Sequence, residues 1–375
     1  MQPTIRSAIC TIICLAATTV AFGQEAQSLV LRIKAVGREG VGNVEAAKAL
    51  KQLVALGPGA MPEVLAGMDD ASPVATNWLR AAIEAMQDKG VQSGQKIPVA
   101  KIEAFLADKS HNGRARRLAY ECLVRNDAKT PERLLPTMLD DPSSELRRDA
   151  VARKLASFGK SPTRKQLEEL LAHARDQDQI NAIAKNLKDQ HGVKIDLTKQ
   201  FGFITRWNVI GPFDNAKGVG FNVPYPPEKG IDFKATYPAK GNKQVNWQEH
   251  TTTKDLGLVD FNEAVGKLKG VVQYAYTAVE SETERPVEIR AASNNAIRIW
   301  LNGKEIFFRE EYHHGMEIDQ HVGKGTLRKG KNEILIKVCQ NEQTETWAEQ
   351  WSFRLRICDA LGGAVPLSNV TEKVK

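Results

Sequence analysis

Two residues, Asn302-Gly303, restrict this chain more than any others. They sit between the apolar runs Ile297–Leu301 and Lys304–Phe308, and both tolerate positive φ. A type I′ turn needs that conformation, because only the primed turns match the right-handed twist of the strands they join. An antiparallel hairpin is therefore expected here. Upstream, Val287, Ile289 and Ala291 alternate with Glu288 and Arg290, the two-residue period of a half-buried strand. Ser293-Asn294-Asn295 then reads as the loop leading into the hairpin.

The same alternation recurs through the C-terminal half. Strands are predicted over 203–210, 244–249, 271–279, 286–292, 296–301, 304–309, 332–339 and 351–358, with turn residues between them and no helical period. Ile334, Ile336 and Val338 oppose Lys337, and Phe353, Leu355 and Ile357 oppose Arg354 and Arg356. Residues 214–243, rich in Gly and Pro and including Pro224-Tyr225-Pro226-Pro227, read as a long ordered loop. Many short strands without intervening helices mean a sandwich or jelly roll.

The N-terminal half has a different period. LRAAIEAM (79–86), RRLAYECL (116–123), RRDAVARKL (147–155) and QINAIAKNL (179–187) each carry an Ala followed by a larger apolar residue. Ala82, Ala119, Ala150 and Ala182 mark a spacing of 37, 31 and 32 residues, which suits a helix pair per unit and an α-solenoid. The small Ala admits a partner helix, and Leu79, Leu118 and Leu155 are expected to fill the gaps between layers. Asp69-Asp70, Asp108-Lys109 and Asp140-Asp141-Pro142 precede three of the units as expected helix starts.

With these residues in view, the helical part resembles HEAT-like repeats, most clearly in DDPSSELRRDAVARKL (140–155). The β part resembles the galactose-binding-like jelly rolls of exported bacterial proteins, over about 200–362. WNVIGPFDN (207–215), YPPEKGID (225–232), VNW (245–247), VQYAYTAV (272–279), RIWLNGKEIF (298–307), LRKGKNEILIKVCQ (327–340) and WSFRLRICD (351–359) carry that likeness. In such domains an acidic pair before the W-L-N-G strand can hold calcium. Ser293-Asn294-Asn295 stand there instead, without the charged oxygens calcium needs.

The expected organisation is α + β multidomain, an N-terminal α-solenoid and a C-terminal antiparallel β-sandwich. Residues 1–23 read as a signal peptide: Arg6, the apolar run Ala8–Val20, then Ala21-Phe22-Gly23 as a cleavage site before Gln24. A linker (24–43), HEAT-like repeats (44–195), the sandwich (200–362) and a C-terminal tail (363–375) follow. Cys122, Cys339 and Cys358 lie beyond the cleavage site, and three free thiols are expected. If 332–339 and 351–358 pair as a hairpin, Cys339 and Cys358 end at opposite poles, too far apart to bridge.

The net charge of +7 is uneven, with 28 Lys and Arg against 23 Asp and Glu over 24–200, and 23 against 22 over 201–375. The excess includes Arg114, Arg116, Arg117, Arg147, Arg148, Arg153, Lys154, Lys160, Arg164 and Lys165. Without interleaved aromatics or a nucleic-acid motif, it reads as a solvated helical face rather than a nucleic-acid surface. Beyond residue 23 no run is long and apolar enough for a membrane span.

Candidate binding residues lie in the strand-connecting loops. Trp247, Trp347 and Trp351 offer flat faces that stack on sugar rings or pack in the core, and Asn294, Asn295 and Arg309 offer directional hydrogen bonds. Trp207 and Trp300 lie within strands and are assigned to the core. Glu310, Glu311, His313, His314, Asp319 and His321 are ligand types without metal-ligand spacing, so no metal and no cofactor is expected. Neither a Gly-x-Ser-x-Gly elbow, a Walker loop nor a His-Glu-x-x-His helix is present.

The resulting expectation is an exported, non-catalytic protein. Its sandwich would bind a carbohydrate or a protein, and its repeats would dock a protein or act as a spacer. The rival is an exported glycoside-active hydrolase or its accessory subunit, since two suitably spaced carboxylates leave no motif.

Overall fold

The computed structural model describes residues 23–369. The expected signal peptide lies outside them except for Gly23. These residues divide into two compact units, one up to His191 and one from Gly192 onward.

In the first unit, α1 (23–34) occupies much of the expected linker. Its buried residues, Ala26, Leu29, Val30 and Ile33, follow the i, i+3, i+4, i+7 spacing of one helix face, so the segment is core-forming despite its polar average. Gly37, Gly40 and Gly42 come only after it. The helices α2 (Asn43–Leu56), α3 (Met61–Ala66), α4 (Pro73–Ser93), α5 (Val99–Ala107), α6 (Gly113–Asn126), α7 (Thr130–Leu134), α8 (Ser144–Ser157), α9 (Arg164–His173) and α10 (Gln177–His191) complete the unit. Ala82, Ala119 and Ala150 are buried as their spacing requires, whereas Ala182 and Leu155 are only half-buried.

Helix starts fall a few residues past the expected aspartates. Ser72 caps α4 by accepting from the Ala75 amide, and Asn112 caps α6 by accepting from the Arg114 amide. Asp69 and Asp140 instead meet residues further along the chain. Asp69 accepts from the Asn112 amide at 2.8 Å and from His111 Nδ1 at 2.7 Å. Asp140 meets His173 Nδ1 at 2.8 Å.

Most of the basic residues are exposed, as a solvated face requires, but Arg116 and Arg147 depart from that reading and are buried. Arg80 of α4 reaches Glu121 of α6, Arg117 of α6 reaches Asp149 of α8 and Arg148 of α8 reaches Asp178 of α10. Arg116 is buried, forking onto both Asp141 oxygens at 2.7 Å and donating to the Leu106 carbonyl at 2.8 Å. Arg147, also buried, donates to the Asp141 carbonyl at 2.7 Å.

In the second unit, the short helix α11 (Leu197–Phe201) precedes antiparallel strands. These are β1 (Arg206–Asp214), β2 (Tyr237–Pro238), β3 (Gln244–Val245), β4 (Gln248–Thr251), β5 (Val259–Asp260), β6 (Val271–Ser281), β7 (Arg285–Ser293), β8 (Ala296–Leu301), β9 (Lys304–Arg309), β10 (His321–Leu327), β11 (Gly330–Gln340) and β12 (Ser352–Cys358). Among the described residues they form a seven-stranded sheet, β4-β1-β6-β11-β8-β9 with Ser368–Asn369 beside β6, and a four-stranded sheet, β10-β7-β12-β5. The two sheets share one core, in which Val209, Ala275, Ile299 and Ile336 of the large sheet meet Ile289, Phe353 and Leu355 of the small one.

Several expectations change here. The strands ending in Cys339 and Cys358 belong to opposite sheets rather than to one hairpin, and Cys122, Cys339 and Cys358 are free. The expected tail enters the fold, with Val365 buried in the core and 368–369 paired with β6. β10 is an additional strand without a sequence signal, because Gly323 and Gly325 break the apolar alternation. A Cβ on Gly325 would lie 2.6 Å from Leu301 Cδ2, so glycine lets the edges of the two sheets approach.

The long segment 214–243 packs on the outer face of the large sheet and includes 3-10 turns and the helical turn Pro226–Lys229. Along β6, Val271, Ala275 and Val279 point into the sandwich, while Val272, Tyr274, Tyr276 and Ala278 point out against Phe213, Phe221, Phe233 and Trp247. Lys337 of β11 lies fully buried under this cover, 2.8 Å from Glu228 and 2.9 Å from the Val223 carbonyl. The Tyr274 hydroxyl donates to the same carboxylate.

Two outcomes follow from this packing. Arg116→Leu should lower stability in urea unfolding by about 3–5 kcal/mol, because Asp141 would stay buried without its counter-charge. Burial pushes the Cys122 and Cys339 thiols up to about 12 and the Cys358 thiol up to about 11. In a chain beginning at Gln24, a thiol reagent should therefore find almost nothing at pH 8 in the native state and three groups once denaturant is added.

Candidate functional site

The chain crosses from the small sheet to the large one at Ser293-Asn294-Asn295, between β7 and β8. This crossover organises one pole of the sandwich. Asn295 is fully buried; its Nδ2 donates to the Gln350 carbonyl at 2.8 Å, and its Oδ1 accepts from the His313 amide at 3.1 Å. Asn294, 3% exposed, donates to Gln350 Oε1 at 3.1 Å and accepts from the Ser352 hydroxyl at 2.7 Å. Its backbone carbonyl accepts from the His314 amide at 3.1 Å. These two side chains thus pin the 310–320 and 341–351 loops against the sandwich. They are framework, and the expected role as free hydrogen-bonding groups is corrected.

The tryptophans separate by burial. Trp247 is 1% exposed and packs with Phe233 and Tyr276 beneath the 214–243 segment. Trp351 is fully buried against Phe261. Neither can stack on a ligand, which corrects both assignments: indoles bury large areas wherever a sheet face must be covered. Trp207 lies in the core as expected, and Trp300 is half-buried.

Trp347 alone of the three loop candidates stands out, at 60% exposed. Its loop is held from behind, because the buried Ala348 offers its carbonyl to Lys269 Nζ at 2.7 Å and to Gln340 Nε2 at 3.2 Å. The His313 ring meets the indole edge to face, with centroids 5.5 Å apart and planes at 87°. His313 is itself set by Asn341 Oδ1, 2.6 Å from its Nε2. That oxygen also accepts from the Gln343 amide, so Nε2 is the donor to it. In the sequence His313 stands out only as a metal-ligand type. Its contact with Trp347 joins residues 34 apart in sequence and leaves no local signal.

Arg309 ends β9 at the surface, where Glu311 holds its guanidinium. His321 begins β10, is 2% exposed and stacks on Phe307 with centroids 4.9 Å apart. Burial, reinforced by the nearby His314 and by the Arg309 charge, drops its pKa to about 4. On the outer face of the small sheet, Asp319 bridges Arg290 and the buried Arg356, and those guanidinium groups hold its carboxyl below the usual range despite burial.

No protein-family model matches this chain, and no curated protein matches it. Among solved structures, a GH31 alpha-xylosidase from Xanthomonas citri shares 13% identity at a TM-score of 0.21, over 41% of this chain and 17% of the other. A beta-glucosidase from Kluyveromyces marxianus shares 9% identity at a TM-score of 0.27, over 81% of this chain and 38% of that one. The same enzyme with glucose shares 11% identity at 0.27 over the same shares of each chain. The chain thus spans well under half the length of these proteins, and likenesses this low bear no functional argument.

His321 supplies a pH test. Its folded pKa lies below the ordinary value of 6.5, so between about pH 6.5 and pH 4 the unfolded chain binds the extra proton. Stability should fall as the pH drops through that window, by about 2 kcal/mol between pH 7.5 and pH 5 from this group. Urea unfolding of wild type and His321→Gln at both pH values measures it: the variant should lose that part of the pH dependence.

Proposed function

We propose that this is an exported, non-catalytic glycan-binding protein. In this reading the second unit is a galactose-binding-like jelly roll that takes a sugar at the crossover pole. The first is a HEAT-like solenoid that docks a protein partner. The observation that carries the reading is Trp347, an indole 60% exposed on a loop whose backbone and ring contacts are already fixed. A scattered exposed apolar side chain is ordinary on any surface. A rigidly backed aromatic face is different, because its ordering cost is met before a ligand arrives.

The C–H face of a pyranose would lie on the indole. The same loop carries Gln343, Glu345 and Glu349, residue types whose side chains hydrogen-bond sugar hydroxyls. The motif Ala21-Phe22-Gly23 supports export, and the spacing of Ala82, Ala119 and Ala150 supports the repeat reading.

A glycan array tests the proposal. Retention of one glycan class without product release is expected, and Trp347→Ala should weaken it by about tenfold or more, as loss of a central aromatic contact does. Undiminished retention by Trp347→Ala would overturn the assignment of the site. Release of shortened sugars would overturn the non-catalytic reading in favour of a hydrolase.

A further inference from the structure

At the opposite end of β8 from the crossover pole, a cleft of about 450 Å3 opens where the edge strands of the two sheets approach, β9 from the large sheet and β10 from the small one. Leu301 and Ile306 give it an aliphatic floor, and Lys304, Lys324, Thr326 and Arg328 line it. Its size lies within the range of roughly 300–1,000 Å3 typical of small-ligand sites. We infer that this cleft binds an acidic polysaccharide, one whose pyranose rings carry sulfate or carboxylate groups.

Charge is the first argument. Three cations gather around one concavity, and among the described residues neither Lys304 nor Arg328 has a carboxylate within ion-pair distance. Lys324 comes only to 4.0 Å from Glu288, whose nearer partner is Arg290 at 2.7 Å. Like charges held around a cleft repel one another and focus a positive potential into it, a cost that a bound anion removes.

The lining is the second argument. Leu301, Ile306 and the methylene stems of the two lysines present apolar surface that suits the C–H face of a sugar ring. No aromatic residue lines the cleft. Single-stranded nucleic acids, the other common polyanions, are held by stacking bases on aromatic side chains.

The cleft is also fixed in place. Asn302 and Gly303 adopt φ of 52° and 79°, and the turn is docked on β11: Asn302 Nδ2 donates to Asn332 Oδ1 at 2.9 Å, and its Oδ1 accepts from the Glu333 amide at 2.9 Å. Lys304 therefore leaves the turn in a set direction. On the other edge, glycine at 325 keeps β10 close enough to Leu301 for cations of both sheets to share one cleft.

The test is titration of the full chain with heparin and with polygalacturonate, with uncharged dextran as control. Heparin carries sulfate and polygalacturonate carboxylate, so the two arms separate the anionic groups. At least one polyanion should bind and dextran should not compete. Lys304→Gln/Arg328→Gln should weaken binding at least tenfold with an unchanged melting temperature, and the single change Lys324→Glu should do the same. Lys160→Gln/Lys165→Gln, in the helical unit, should leave binding within twofold. Trp347→Ala should also leave it intact, which keeps this result independent of the site at the other pole. Failure of both polyanions to bind, full retention by the Lys304/Arg328 and Lys324 variants, or equal loss in the Lys160/Lys165 variant would overturn the assignment.

Discussion

Everything at the crossover pole depends on two buried amides being satisfied. Asn294 and Asn295 sit where the chain leaves one sheet for the other, a place where the backbone can belong to neither ladder. A buried amide left without partners costs on the order of 1–3 kcal/mol, so the surrounding loops must come to it. The His313 amide, the Gln350 carbonyl and side chain, and the Ser352 hydroxyl do so. Two loops distant in sequence are thereby held together, and the Trp347 indole rests against a ring supplied by the other loop.

The second unit relies on paired charge in the same way at two further places. Lys337 and Glu228 meet beneath the cover over the large sheet, and Arg356, Arg290 and Asp319 meet on the outer face of the small one. In both, a long connecting segment is fastened to a sheet face by an ion pair it helps to bury. Removing either partner would strand a charge, which is far costlier than never having placed one there.

Much of this was legible in the residues. The Asn-Gly turn reports a local geometric need, a positive φ, that few other residues meet, and the helical period of the N-terminal half shows in the burial of Ala82, Ala119 and Ala150. What stayed hidden depended on what lay opposite. Trp247 and Trp351 looked like loop aromatics until the cover over the large sheet and the packing of Phe261 placed them inside. Arg116 and Arg147 looked solvated because Asp141, their shared partner, lies 25 residues after the first and 6 before the second. Residues 24–43 averaged polar, although one face of α1 is wholly apolar. Composition over a window cannot see a face.

The arginine pairs of the first unit have a consequence for how such a chain tolerates shortening. Arg80, Arg117 and Arg148 lie on α4, α6 and α8, and each reaches beyond its own helix to an acid on a later one. The acids stand at different places on their helices, so another helix would not offer a substitute at the same place. Excising α6 or α8 would leave the arginine on α4 or α6 without its cross-helix carboxylate.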